Sequence, residues 1–141
     1  MKKTIKIAGI VLAVLVVIAI LLYVIGFGFV KKSCIYVMEY NVAEDGSKME
    51  IKFINASSIG FIRKADPHRN GSEVDVDFYR AFGGINGNIG VMEDYVVTVD
   101  LDSSIDKICF CRGNKYEVVL YKTDDGNWVK PDSSYFSSDL I

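Results

Sequence analysis

The chain has 141 residues, 50% of them hydrophobic and 24% charged, with three Cys, one His and a net charge of −2. That length holds one compact domain, or a smaller domain with an attachment device, and leaves no room for a two-domain enzyme. The mean hydropathy of +0.24 is high beside so many charges, so the apolar residues must be gathered in one stretch.

The segment 7–30, from Ile7 to Val30, carries no charge and is closed by Lys6 on one side and Lys31-Lys32 on the other. As a helix it reaches roughly 36 Å, against a bilayer hydrocarbon core of about 30 Å. Apolar residues occupy every angle of its wheel, whereas a helix packed on a soluble core keeps a polar side. The expectation is an uncleaved single-pass anchor in contact with membrane lipid through residues 7–30. It is too long for a signal-peptide core, and no small-x-small cleavage site follows it. Residues 1–6 form a basic N-terminus, with Lys2, Lys3 and Lys6 facing the two lysines beyond the span. That bias, with aromatic Tyr23, Phe27 and Phe29 near the far boundary, favours a cytoplasmic N-terminus. Of the 16 Lys and Arg, 11 lie in 33–141, together with all 18 Asp and Glu. An acidic domain outside the cell membrane is the economical topology.

Beyond Ser33 the apolar period becomes two. Met49 to Phe53 and Val74 to Phe78 alternate strictly, and Tyr95 to Leu101 is a β-branched run of strand length. Further runs lie at Ile35 to Val42, Ile105 to Cys111 and Tyr116 to Tyr121, with a short one at Ile59 to Ile62. The separators are turn chemistry, among them Asp45-Gly46, Asn70-Gly71, Arg112-Gly-Asn114 and Asp124-Asp-Gly-Asn127. Hairpin spacing predicts that consecutive strands are antiparallel neighbours. The expected fold is an N-terminal transmembrane α-helix followed by a small all-β domain over 33–130, an antiparallel sandwich or partly open barrel of six to seven strands. Residues 131–141, rich in Ser and Asp, read as a flexible tail.

Little of this pattern carries chemistry. His68, in Ala65-Asp-Pro-His-Arg-Asn-Gly71, reads as an exposed turn residue, and no Ser sits in a nucleophile elbow. Asp75 and Asp77 share one strand face and read as a solvated polar surface. Asp100-Leu-Asp-Ser-Ser104 starts like a calcium loop, but Ile105 replaces the required Gly and Cys111 the bidentate Glu. Cys109 and Cys111 are two apart on one strand, too far for an easy bridge, so a disulfide would join Cys34 to Cys109 or Cys111; the alternative is three reduced thiols. No catalytic set, metal site or cofactor is expected. Asn55-Ala-Ser57 and Asn70-Gly-Ser72 match the N-glycosylation acceptor pattern, which matters only in a eukaryotic secretory pathway.

The glycine-rich stretch 82–90 is the most distinctive segment, and Phe82, Ile85, Asn86, Asn88 and Ile89 are its candidate partner-binding residues. An acidic domain without a basic stripe argues against nucleic acid. The leading expectation is a non-enzymatic, membrane-anchored module that binds a protein or surface ligand outside the membrane, as an accessory or sensory subunit. The alternative is a small hydrolase or metal-dependent enzyme using His68 and nearby carboxylates. Oligomeric state has no signature in the sequence.

Overall fold

The computed structural model describes residues 2–26, 31, 34–56, 61–81 and 91–132. Helix α1 covers Lys2–Gly26, and eight strands follow: β1 (Ile35–Val42), β2 (Lys48–Asn55), β3 (Phe61–Asn70), β4 (Glu73–Ala81), β5 (Val96–Asp100), β6 (Lys107–Arg112), β7 (Lys115–Lys122) and β8 (Trp128–Val129). Within α1, Lys3–Tyr23 is long and apolar enough to cross a membrane. Every side chain from Lys3 to Tyr23 is exposed. A run of bare Ile, Leu and Val that long is stable only in an apolar surround, because each such side chain left in water forfeits about 1.5–3 kcal/mol.

The strands form two sheets, ordered β1-β2-β5 and β3-β4-β6-β7-β8. The eight strands among the described residues exceed the six or seven expected by one short element. The two-residue β8 follows the Asp124 to Asn127 turn and pairs antiparallel with β7. The hairpins β1-β2, β3-β4 and β6-β7 are antiparallel as their turns predict. Two connections depart from the expectation of sequential pairing. Strand β5 leaves the larger sheet to pair with β2, so β4 and β6 become parallel neighbours.

Strand β3 is also longer than expected, because the segment Ala65 to Asn70 is strand and not turn. Pro67 is tolerated there since β3 is an edge strand, where a missing N–H breaks no ladder bond on the open side. The turn itself is only Gly71-Ser72, with Gly71 at a φ of 65° that a side chain would resist.

The core lies between the sheets. Met49, Ile51 and Phe53 of β2 and Val97 and Val99 of β5 meet Val74, Val76 and Phe78 of β4, Ile108 and Phe110 of β6 and Leu120 of β7, all buried. Phe78 stands edge-on to Phe53 at 4.8 Å and to Phe110 at 4.7 Å, so one ring cluster ties both sheets together. The open sides of the sandwich are drawn together by polar contacts. Tyr40 donates its hydroxyl to the Trp128 carbonyl at 2.6 Å, and the Ile62 amide donates to the Tyr95 hydroxyl at 3.3 Å.

Candidate functional site

Alternation along β4 and β6 sends Val74, Val76, Phe78, Ile108 and Phe110 inward, and therefore sends Glu73, Asp75, Asp77, Cys109 and Cys111 to the other face of the larger sheet. That outer face is not a solvated surface, contrary to the expectation for Asp75 and Asp77. Asp75 is 2% exposed and Asp77 6%, and both cysteines are buried. The parallel register sets Asp75 beside Cys109, and the β3-β4 register sets His68 opposite Asp75. His68 is exposed, as expected, but it stands on a strand, its ring edge-on to Tyr116 at 6.0 Å.

Two polar groups occupy this face. In the first, Asp77 accepts from the Lys31 ammonium at 2.7 Å and from the Tyr116 hydroxyl at 3.0 Å. Burial opposes ionisation of Asp77, but the bonds from Lys31 and Tyr116 outweigh it and hold the carboxyl below its usual range. The same bond to Asp77 raises the Lys31 ammonium, while burial and then Asp77 raise the Tyr116 phenol. Burial likewise pushes the Cys111 thiol up, with Asp77 adding to it.

In the second group, Glu73, Asp75 and Cys109 bring one ligand atom each within 4.8 Å of the others. The Cys109 thiol donates to Glu73 Oε2 at 3.8 Å, while Glu73 Oε1 accepts from the Lys107 ammonium at 3.3 Å. Asn70 donates its side-chain amide to Asp75 Oδ2 at 3.1 Å. The other oxygen, Asp75 Oδ1, is buried with no hydrogen-bond partner among the described residues. Burial, then the charges of Glu73 and Asp75, push the Cys109 thiol up to about 12, so it is a neutral donor.

Elsewhere, Asp102 sits in a Ser/Asp turn. The Ser104 hydroxyl and amide and the Arg69 guanidinium hold its carboxyl down to about 2. A cavity of about 240 Å³ lies beside it, lined by Pro67, His68, Arg69, Thr98, Leu101 and Ile105 among others.

Cys34, Cys109 and Cys111 are all free thiols, Cys34 exposed at the entry to β1 and the other two buried in β6. The candidate partner-binding residues Phe82, Ile85, Asn86, Asn88 and Ile89 lie outside the described residues. So do 133–141 of the expected tail. Sequence reasoning noticed Asp75 and Asp77 but missed Glu73, Asn70, Lys107 and Lys31. The missing signal was long-range: alternation of acidic residues on β4 was visible, whereas the crossover through β5 that lays β6 beside β4 was not. No family model, curated protein or solved structure matches this chain.

Proposed function

We propose that this protein is a membrane-anchored, non-enzymatic β-domain that binds a protein or surface ligand just outside the bilayer, as an accessory or sensory subunit. The observation that carries the reading is the join between anchor and domain. Helix α1 ends at Gly26, and five residues later Lys31 already bonds Asp77 and bridges to Tyr79 on β4. Five residues of extended chain span at most about 18 Å. The domain is therefore held at the helix end, and a ligand it binds is met at the membrane surface. Exposed apolar side chains near that join support a recognition role. Tyr36 and Ile54 are directly paired across β1 and β2, and Arg112 lies over the Tyr36 ring at 4.4 Å.

The cytoplasmic N-terminus and external domain follow from the lysine bias and the acidity of the domain. The test uses Cys34, the exposed thiol. A membrane-impermeant maleimide should label Cys34 in intact cells, and detergent alone should extract the full chain, whereas a chain starting at residue 27 should be soluble. Labelling only after lysis would reverse the orientation, and release of the full chain by alkaline carbonate would remove the anchor.

One observation favours the enzymatic alternative: His68 faces Asp75 in register, on the same face as the buried thiols. Substituting His68→Ala separates the readings, since a binding module keeps its partner and a hydrolase loses turnover.

A further inference from the structure

The geometry points to a divalent metal site of zinc type on the outer face of the larger sheet, with Glu73, Asp75 and Cys109 as its protein ligands. Three features converge on it. First, the donor set is one sulfur and two carboxylate oxygens, the mixture that a borderline cation such as zinc accepts and that calcium or magnesium, which take oxygen alone, does not. Second, the spacing fits. Tetrahedral zinc with bonds of about 2.3 Å to sulfur and 2.0 Å to oxygen separates those two atoms by about 3.5 Å, close to the 3.8 Å between Cys109 Sγ and Glu73 Oε2.

Third, Asp75 Oδ1 is unpartnered among the described residues, inside a residue that is only 2% exposed. A buried carboxylate oxygen without a donor is costly, and a cation is the partner that a thiol and two acids can share. The neighbours outside the cluster hold the other carboxylate oxygens. Asn70 holds Asp75 by Oδ2 and leaves Oδ1; Lys107 holds Glu73 by Oε1 and leaves Oε2 to the Cys109 thiol, the third member of the set. Such outer bonds orient ligands in known metal sites.

Binding also resolves the electrostatics of the cluster. A dication brings charge to two neighbouring carboxylates and displaces the thiol proton: the Cys109 S–H bond breaks, the proton leaves to water, and the sulfur electron pair fills a zinc position. One proton is released per ion, with no change of oxidation state. Three protein ligands leave a fourth position for water or for a group on an incoming ligand.

Cobalt(II), which reports thiolate ligation by a near-ultraviolet charge-transfer band, tests the site in the reduced, detergent-solubilised full chain. The expected result is a band that saturates at one equivalent, is displaced by zinc, persists in Cys34→Ser and Cys111→Ser, and disappears in Cys109→Ser. Asp75→Asn should weaken cobalt binding at least about tenfold. Absence of the band at one equivalent, or its survival in Cys109→Ser, overturns the site. Should Cys109→Ser lose its sheet signal by circular dichroism, Glu73→Gln decides: a tenfold loss of affinity supports the site, and unchanged affinity overturns it.

Discussion

The two faces of strands β4 and β6 are both buried, by opposite means. On the inner face Val74, Val76, Phe78, Ile108 and Phe110 are closed off by packing against β2 and β5. On the outer face Asp75, Asp77, Cys109 and Cys111 are closed off by polar neighbours, among them Lys31, Asn70 and Tyr116. Apolar burial is non-directional and repays itself in area removed from water. Polar burial is favourable only where each group finds a partner. The difference teaches where to look for function: the inner face is accounted for by folding, whereas the outer face holds an oxygen that no described residue pairs.

The sharpest way to break the comparison is to ask whether the outer face is closed in solution. A buried thiol reacts only when structure opens, so Cys109 and Cys111 should react with a maleimide at least about a thousandfold more slowly than Cys34. Mass spectrometry of the labelled peptides over time measures the ratio. Equal rates would mean that the outer face is open and only the inner one is a core. The inner face has its own test. Phe78→Ala removes the ring that touches both Phe53 and Phe110, and should cost about 3–5 kcal/mol in urea unfolding of the chain that starts at residue 27. A loss below about 1 kcal/mol would deny that cluster its place as the link between the sheets.

The inner face was largely legible in the sequence and the outer one was not, for a physical reason. Alternation at Met49 to Phe53 and Val74 to Phe78 marks strands whose apolar side must find a core, whatever the topology. Turn residues mark the hairpins for the same local reason. The β4-β6 pairing rests on β5 crossing to the other sheet, a long-range event that no spacing records. Without it Asp75 and Cys109 are separate residues. Pro67 hid β3 for a related reason: Pro argues against a strand only where both edges must bond, and β3 has one open edge. The cluster of Lys31 with Asp77 was equally hidden, since the lysine reads as a membrane-boundary charge and only the fold brings it to the carboxylate.

That ion pair gives the third prediction. Lys31→Met leaves Asp77 buried with neutral donors, Tyr116 and the Cys111 thiol, in place of the ammonium, and should cost about 1 kcal/mol. The figure is held down because the Lys31 side chain is 45% exposed and partly screened. Its pH dependence has a definite sign. The folded carboxyl of Asp77 is held below its unfolded value of about 4, so its contribution is present above that pH and fades as the pH falls through the folded value. The folded Lys31 ammonium is raised above about 10.4, so its contribution is complete below that pH and fades above it. Urea midpoints of the two proteins, with a chelator present, should differ between about pH 4 and pH 10 and converge in acid. A difference that persists at pH 2 would assign the effect to packing of the lysine stem.

A last substitution, of an effect no larger, probes how the outer face is held in register. Gly113 opens the β6-β7 turn at a φ of 66° with empty space where a side chain would go. Gly113→Ala therefore meets no clash and bears only the backbone penalty, about 1 kcal/mol. The turn sets Cys111 opposite Tyr116, and the Cys111 thiol donates to the Gly113 carbonyl at 3.5 Å. If the strands keep their register, Tyr116 still reaches Asp77 and the loss in urea unfolding stays near that value. A markedly larger loss, with Cys111 becoming as reactive as Cys34, would mean that the turn, and not the neighbouring polar side chains, closes the outer face.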